Sequence, residues 1–168
     1  GVGGHCIAVD PWFIVNSAPD LAHLIRCARN VNDSKPHHVV EQVMRAAADL
    51  SDPVIACFGL AFKANIDDLR ESPAMTIVRE LVAKQAGRIL AVEPNIDALP
   101  KKLATGGALE LVDSKTAFRE ADILVLLVDH REFTDIDPKN VSGKTIIDTR
   151  GLWTRSAHGS DQLPITGI

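Results

Sequence analysis

The chain has 168 residues, 46% of them hydrophobic and 24% charged, with a net charge of -4. That length and balance support one ordinary buried core and exclude a disordered or collagen-like chain. Without a long basic run, and with two Trp, five Phe and no Tyr, no nucleic-acid partner is expected. The longest apolar run, "ILVLLV" at 123–128, is too short to cross a bilayer, and no signal peptide is visible, so no membrane partner is expected.

In chain order, "GVGGHCIAVDP" comes first: a glycine-rich loop around Cys6. Glycines allow a backbone to approach a ligand, and a thiol in an open polar loop suits a nucleophile. Residues 20–50 read as helix. Leu21, Leu24, Ile25, Ala28 and Val31 recur at helical steps, as do Val39, Val40, Val43, Met44 and Ala47. Asp20 is the expected N-cap, and Pro36 predicts a kink or two helices meeting near 32–35. The long apolar stripe needs a cover, so a homodimer through this helix is expected.

From residue 53 strands and helices alternate. "PVIACFGL", "RILAVEP", "LELV", "DILVLLVD" and "KTIIDT" read as five short strands. Helices are expected from Ser72-Pro73 to about Gly87, around "IDALPKKLA" and over "SKTAFREA", with a helical turn in "HREFTDI". The fold class is α/β: a linker helix followed by a Rossmann-like parallel sheet with helices on both faces. The divisions are a cysteine loop at 1–18, a linker helix at 19–51, a sheet domain at 52–155 and a tail at 156–168.

Ligands of such sheets sit beyond the carboxyl ends of the strands. Lys63 and Arg70 follow the first strand and Arg150 the last, three cations suited to a phosphate. No G-x-G-x-x-G follows the first strand, which continues Gly59-Leu60-Ala61-Phe62-Lys63, so ordinary dinucleotide binding is not expected there. Three scattered cysteines argue for a reducing cytoplasm and against zinc, and no metal is expected. Cys27 and Cys57 are read as packing residues, as are Trp12 and Trp153; His37 and His38 are read as solvated.

Three stretches, "GVGGHCIAVDP", "ARNVNDSKPHHVV" and "FGLAFKANIDDLRESPAM", resemble the catalytic cysteine loop, the central linker helix and the start of the nucleotide-sugar-binding domain of the UDP-glucose/GDP-mannose dehydrogenase family. The loop is most similar to the UDP-N-acetyl-mannosamine-oxidising branch. In the UDP-glucose branch a lysine more often stands where Val9 does here.

The resemblance implies an NAD-dependent oxidation of a UDP-sugar's primary alcohol to the uronate, through a thiohemiacetal and a thioester on Cys6. Asp10 would position the hydrolytic water, and Gly3 would admit the sugar. Phe62, Lys63 and Arg150 would contact the UDP-sugar, and Arg70 would reach NAD. It further implies that Gly1 is a cut point, that the NAD-binding domain and an active-site lysine and asparagine lie upstream, and that the chain alone is inactive. A non-catalytic nucleotide-sugar-binding and dimerisation module is the alternative. A stand-alone Rossmann dehydrogenase suffers from the missing fingerprint.

Overall fold

The computed structural model describes residues 1–100, 103 and 107–153. The 156–168 tail and the Lys101-Lys102 pair lie outside the described residues.

Five strands form one all-parallel sheet: β1 (Val54–Phe58), β2 (Arg88–Val92), β3 (Leu109–Leu111), β4 (Ile123–Leu126) and β5 (Thr145–Asp148). Their order is β3-β2-β1-β4-β5, so the topology reverses between β1 and β4. All five lie within the stretches read as strands; β1 and β4 are apolar throughout because central strands are buried on both faces, whereas the edge strand β3 carries an exposed Glu110.

The pleat sorts β1 between two cores. Ile55 and Cys57 face the helices α2 (His23–Ala47) and α3 (Pro73–Ala83), meeting Val40, Val43, Val78 and Leu81. Ala56 and Phe58 face the other side, with α4 (Ser114–Glu120), Phe133 and Trp153. The Phe58 ring sits edge-on to Phe133 and Trp153, with centroids 5.4 and 5.2 Å away. The Trp153 indole N–H donates to the Phe133 carbonyl at 2.9 Å, so this aromatic is a packing residue as read. Burial pushes the Cys57 thiol up to about 12.

α3 starts where the sequence says it should. The Ser72 hydroxyl accepts the Met75 N–H and Pro73 occupies the first turn. Asp113 caps α4 in the same way through Thr116 N–H.

Other expectations need correction. A short helix α1 (Asp10–Ser17) stands where a loop was expected. Asp20 is not a cap: α2 begins at His23 behind Ala22, without a side-chain cap. Residues 96–100 form bends and irregular backbone rather than helix; Pro94 and Pro100 bracket the segment, and each biases its predecessor away from helix. Cys27 is exposed, not packed, and Trp12 is one-third exposed.

α2 runs unbroken through Pro36 instead of splitting there. Proline has no N–H for the Asn32 carbonyl one turn earlier. That carbonyl faces the start of the chain: a Cβ added to Gly1 would lie 3.2 Å from it. The proline thus frees an acceptor on the face of α2 that the cysteine loop crosses. Its second half packs on the sheet domain through Val40, Val43 and Ala47, whereas Leu21, Leu24 and Val31 in and before the first half are exposed.

Candidate functional site

The cysteine loop is docked rather than free, and α2 holds it. Asn32 pairs with the backbone of Val2 in both directions: Val2 N–H to Oδ1 at 2.6 Å, and Nδ2 to the Val2 carbonyl at 2.9 Å. One turn earlier Arg29, largely buried and ion-paired with Asp33, donates to the Ile7 carbonyl at 3.2 Å. These two side chains bracket Cys6. Sequence reading placed them in the linker segment but gave them no role; an Arg and an Asn three apart on one helix face were the available signal.

The other side of the loop rests on the segment after β1. Gly4 N–H donates to the Glu71 carbonyl at 3.2 Å. A Cβ on Gly3 would come within 2.1 Å of that carbonyl and 2.5 Å of Pro73 Cδ, so only glycine fits. Gly4 has φ +105°, and a Cβ there would lie 3.0 Å from the Phe62 ring. The His5 ring meets Phe62 edge-on at 6.3 Å, which makes His5 a contact of the neighbouring loop. Cys6 itself is exposed, and its carbonyl accepts the N–H groups of Val9 (2.9 Å) and Asp10 (2.8 Å), which begins α1. The loop that carries Gly3 and Cys6 thus meets Phe62 through Gly4 and His5, and Asp10, hydrogen-bonded to the Cys6 carbonyl, stands exposed at the first turn of α1.

The cations take different places on the carboxyl rim of the sheet. Lys63 is exposed beside Phe62. Arg70 is also exposed but forked onto Asp68, with Nε to Oδ1 at 2.9 Å and Nη2 to Oδ2 at 2.6 Å. That guanidinium and the Arg70 N–H hold the Asp68 carboxyl at about 2. Arg150, just past β5, reaches back to Asp129 after β4 at 2.8 Å. It lines a narrow cleft with Gly1, Lys35, Pro73, Leu127 and Thr149. The rim is thus a set of arginine–carboxylate pairs with Lys63 beside them, and the start of the cysteine loop abuts its Arg150 end.

Beneath the rim lies a buried polar network that sequence reading missed. Phe58 lies opposite Val92 of β2 and Leu126 of β4, so Gly59, Glu93 and Leu127 leave the sheet side by side. Glu93 Oε2 accepts Leu60 N–H at 2.7 Å, Ala61 N–H at 3.0 Å and His130 Nε2 at 3.0 Å. Its Oε1 accepts both the backbone N–H and the side-chain amide of Asn95. Asn65 N–H donates to His130 Nδ1 at 2.9 Å, which assigns the proton of a neutral ring to Nε2. Burial alone would raise the Glu93 pKa, but the bonds from His130, Leu60 and Asn95 outweigh it and leave the carboxyl at about 2. The available signal was a carboxylate closing an apolar strand run, at "AVEP", and a histidine in the post-strand segment "DHREF".

This network also decides what the β1 turn can bind. In a dinucleotide fold, free backbone N–H groups at that turn meet the pyrophosphate. Here those of Leu60 and Ala61 are taken by a carboxylate, and Gly59 (φ +89°) packs so tightly that a Cβ would lie 2.4 Å from Val128 Cβ. The described residues do not fit a resident NAD at this turn.

Residues 56–155 match the model of the UDP-glucose/GDP-mannose dehydrogenase family, UDP binding domain. The chain is 57% identical over 154 residues to the NDP-N-acetyl-D-galactosaminuronic acid dehydrogenase of Ralstonia solanacearum, an alignment spanning 92% of this chain and 36% of that protein. It is 53% identical over 161 residues to the UDP-N-acetyl-D-mannosamine dehydrogenase of Escherichia coli K12, covering 91% and 38%. Among solved structures, the UDP-N-acetyl-mannosamine dehydrogenase of S. aureus superposes with a TM-score of 0.72 at 32% identity, over 90% of this chain and 35% of that one. The chain thus spans little more than a third of the length of these relatives. It belongs to the UDP-glucose/GDP-mannose dehydrogenase family, with residues 56–155 as the family's UDP binding domain.

Proposed function

We propose that this chain is the C-terminal part of an NAD-dependent nucleotide-sugar 6-dehydrogenase that oxidises a UDP-N-acetyl-hexosamine, with UDP-N-acetyl-mannosamine as first candidate. The single observation that carries the reading is the docking of the Cys6 loop, through Gly3 and Gly4, onto the Phe62–Pro73 segment of the UDP binding domain. Mannosamine and galactosaminuronate relatives share similar identity, so the choice of sugar rests on the loop resemblance around Cys6.

In this reading Phe62 packs on the nucleotide-sugar, Lys63 and Arg150 neutralise the diphosphate or sugar oxygens, and Gly3 keeps the loop close enough for Cys6 to reach the sugar. The Cys6 thiolate adds to the aldehyde carbon formed from the primary alcohol. The S–C bond forms as the carbonyl π pair moves to oxygen, which takes a proton. The resulting tetrahedral carbon carries a hydrogen and an oxygen, the arrangement that a second oxidation requires. Once that carbon is a thioester, water attacks it, the S–C bond breaks, and its electron pair returns to sulfur. Asp10, one helical turn beyond Cys6, orients that water. NAD supplies the hydride acceptor of the whole enzyme; on this chain the rim guanidinium of Arg70 is the group offered to it.

A second copy of the chain is the cover we assign to the exposed Leu21, Leu24 and Val31. Calorimetry with UDP tests the nucleotide reading. The 168-residue chain should bind UDP, and Lys63→Ala should weaken binding about tenfold, the effect of losing one charge-assisted contact. Equal affinity in both would remove Lys63 from the site. Light scattering on the same sample should give twice the chain's 18.1 kDa, and a monomer would reject the dimer.

A further inference from the structure

We infer that Glu93 and His130 form a positioning device for the UDP-sugar loop, setting from beneath where Phe62 and Lys63 stand without touching the ligand. The inference rests on the reading of Phe62 and Lys63 as ligand contacts, and its observations are separate from those that support that reading.

The arrangement follows from the strand order. β2 and β4 flank β1; Glu93 directly follows β2 on one side, and His130 comes from the segment after β4 on the other. Both are fully buried at the side chain and 3.0 Å apart. Between them they hold both ends of the segment that carries Phe62 and Lys63. Glu93 takes the N–H groups of Leu60 and Ala61, His130 takes that of Asn65, and the Asn65 side chain accepts the Arg131 N–H at 2.9 Å. In the middle, Phe62 N–H closes the loop on the Asp68 carbonyl.

Two physical points separate this from a simple core plug. A buried carboxylate–imidazole pair is weak evidence for stability, since apolar residues of like volume often serve a core as well. Yet the partners of this pair are mainly loop amides, the groups whose placement decides where the loop side chains point. The loop also follows a path that side chains rarely adopt: Gly59 at φ +89° and, among non-glycines, Asn65 at +61° and Glu71 at +48°. Such conformations persist only where surrounding bonds over-determine them. At Asn65 the over-determining bonds are those to His130 and Arg131.

The test uses Glu93→Gln, which keeps size but replaces one acceptor oxygen with a donor. It cannot satisfy both Leu60, Ala61 and His130 on one side and the two Asn95 donors on the other. Because Glu93→Gln could impair folding, the exposed Asn65→Ala is the second variant. Amide hydrogen exchange by NMR and UDP calorimetry are measured on wild type, each variant, Lys63→Ala and the Glu93→Gln/Lys63→Ala double variant. Expected are faster exchange at Leu60, Ala61 and Asn65, and UDP affinity about tenfold lower in Glu93→Gln, the size of one lost charge-assisted bond. The double variant should lose less than the product of the single losses, because Glu93 acts through Lys63. Unchanged exchange, unchanged UDP affinity or, where Lys63→Ala itself weakens binding, losses that simply multiply would overturn the positioning role. If Lys63→Ala binds like wild type while Glu93→Gln is weak and exchanges faster, the Lys63 contact fails but the anchor stands, acting through Phe62.

Discussion

On the proposed mechanism, replacing Cys6 with serine in the full-length protein should lower turnover on the order of a thousandfold or more, because the step that fixes the aldehyde as a tetrahedral adduct would lose its nucleophile. UDP affinity should stay at the wild-type level. Cys6 is exposed, and its loop meets the nucleotide rim through Gly3, Gly4 and His5 rather than through the sulfur. Stopped-flow measurement of NAD reduction, paired with UDP calorimetry, separates the two effects. Turnover within tenfold of wild type would place the chemistry elsewhere, and a parallel loss of UDP affinity would mean that the substitution had undocked the loop.

The second large effect concerns acid. Glu93 is held at about 2 against an ordinary 4.5, so the folded state binds its proton more weakly than the unfolded chain does. Stability from this group is therefore fully present above about pH 4.5 and is lost as pH falls through about 2. The carboxyl has no solvent exposure, so loss of its bonds on protonation removes a substantial part of a small domain's stability. Urea melts at pH 7, 5 and 3 should show little change for wild type between 7 and 5 and a clear fall at 3. Glu93→Gln should be less stable at pH 7 and should decline less steeply. Equal slopes in the two proteins would show that other carboxylates carry the acid response.

The sheet was legible because its signal is local. Strands buried on both faces need unbroken apolar runs, and the runs at 54–58, 88–92 and 123–126 could be little else. The Ser72-Pro73 start of α3 was local too. α1 was not legible: Trp12, Phe13 and Ile14 are consecutive rather than spaced by helical steps, and only Val15 of the helix is buried, so no periodicity announces it. Pro36 misled for a related reason. The cost of a proline in a helix is a lost bond from the Asn32 carbonyl, and here tertiary packing around the buried Pro36 overrides it.

At the site, chain neighbours were readable and long-range partners were not. Cys6, Asp10, Phe62, Lys63 and Arg70 sit in two motifs whose residues are close in sequence. Asn32 meets Val2 across 30 residues, and Glu93 meets His130 across 37. No pattern within a single segment encodes such pairs: the first exists because the cysteine loop lies along α2, the second because the strand order β2-β1-β4 sets two carboxyl ends beside β1. The arginines illustrate the same limit. Arg70 looked like a free cation for a phosphate, and its fork onto Asp68 appears only once the turn at 68–70 is folded.

If the Cys6 sulfur and the UDP-sugar share one site, bound ligand shields that thiol from alkylation. Iodoacetamide labelling of the 168-residue chain, followed by peptide mass spectrometry, reads Cys6 and Cys27 separately; both are exposed, while Cys57 is buried and serves as the unreactive control. Saturating UDP-N-acetyl-mannosamine should slow labelling of Cys6 and leave Cys27 unchanged. Labelling of Cys6 at the same rate with and without saturating ligand would place the sulfur outside the sugar site.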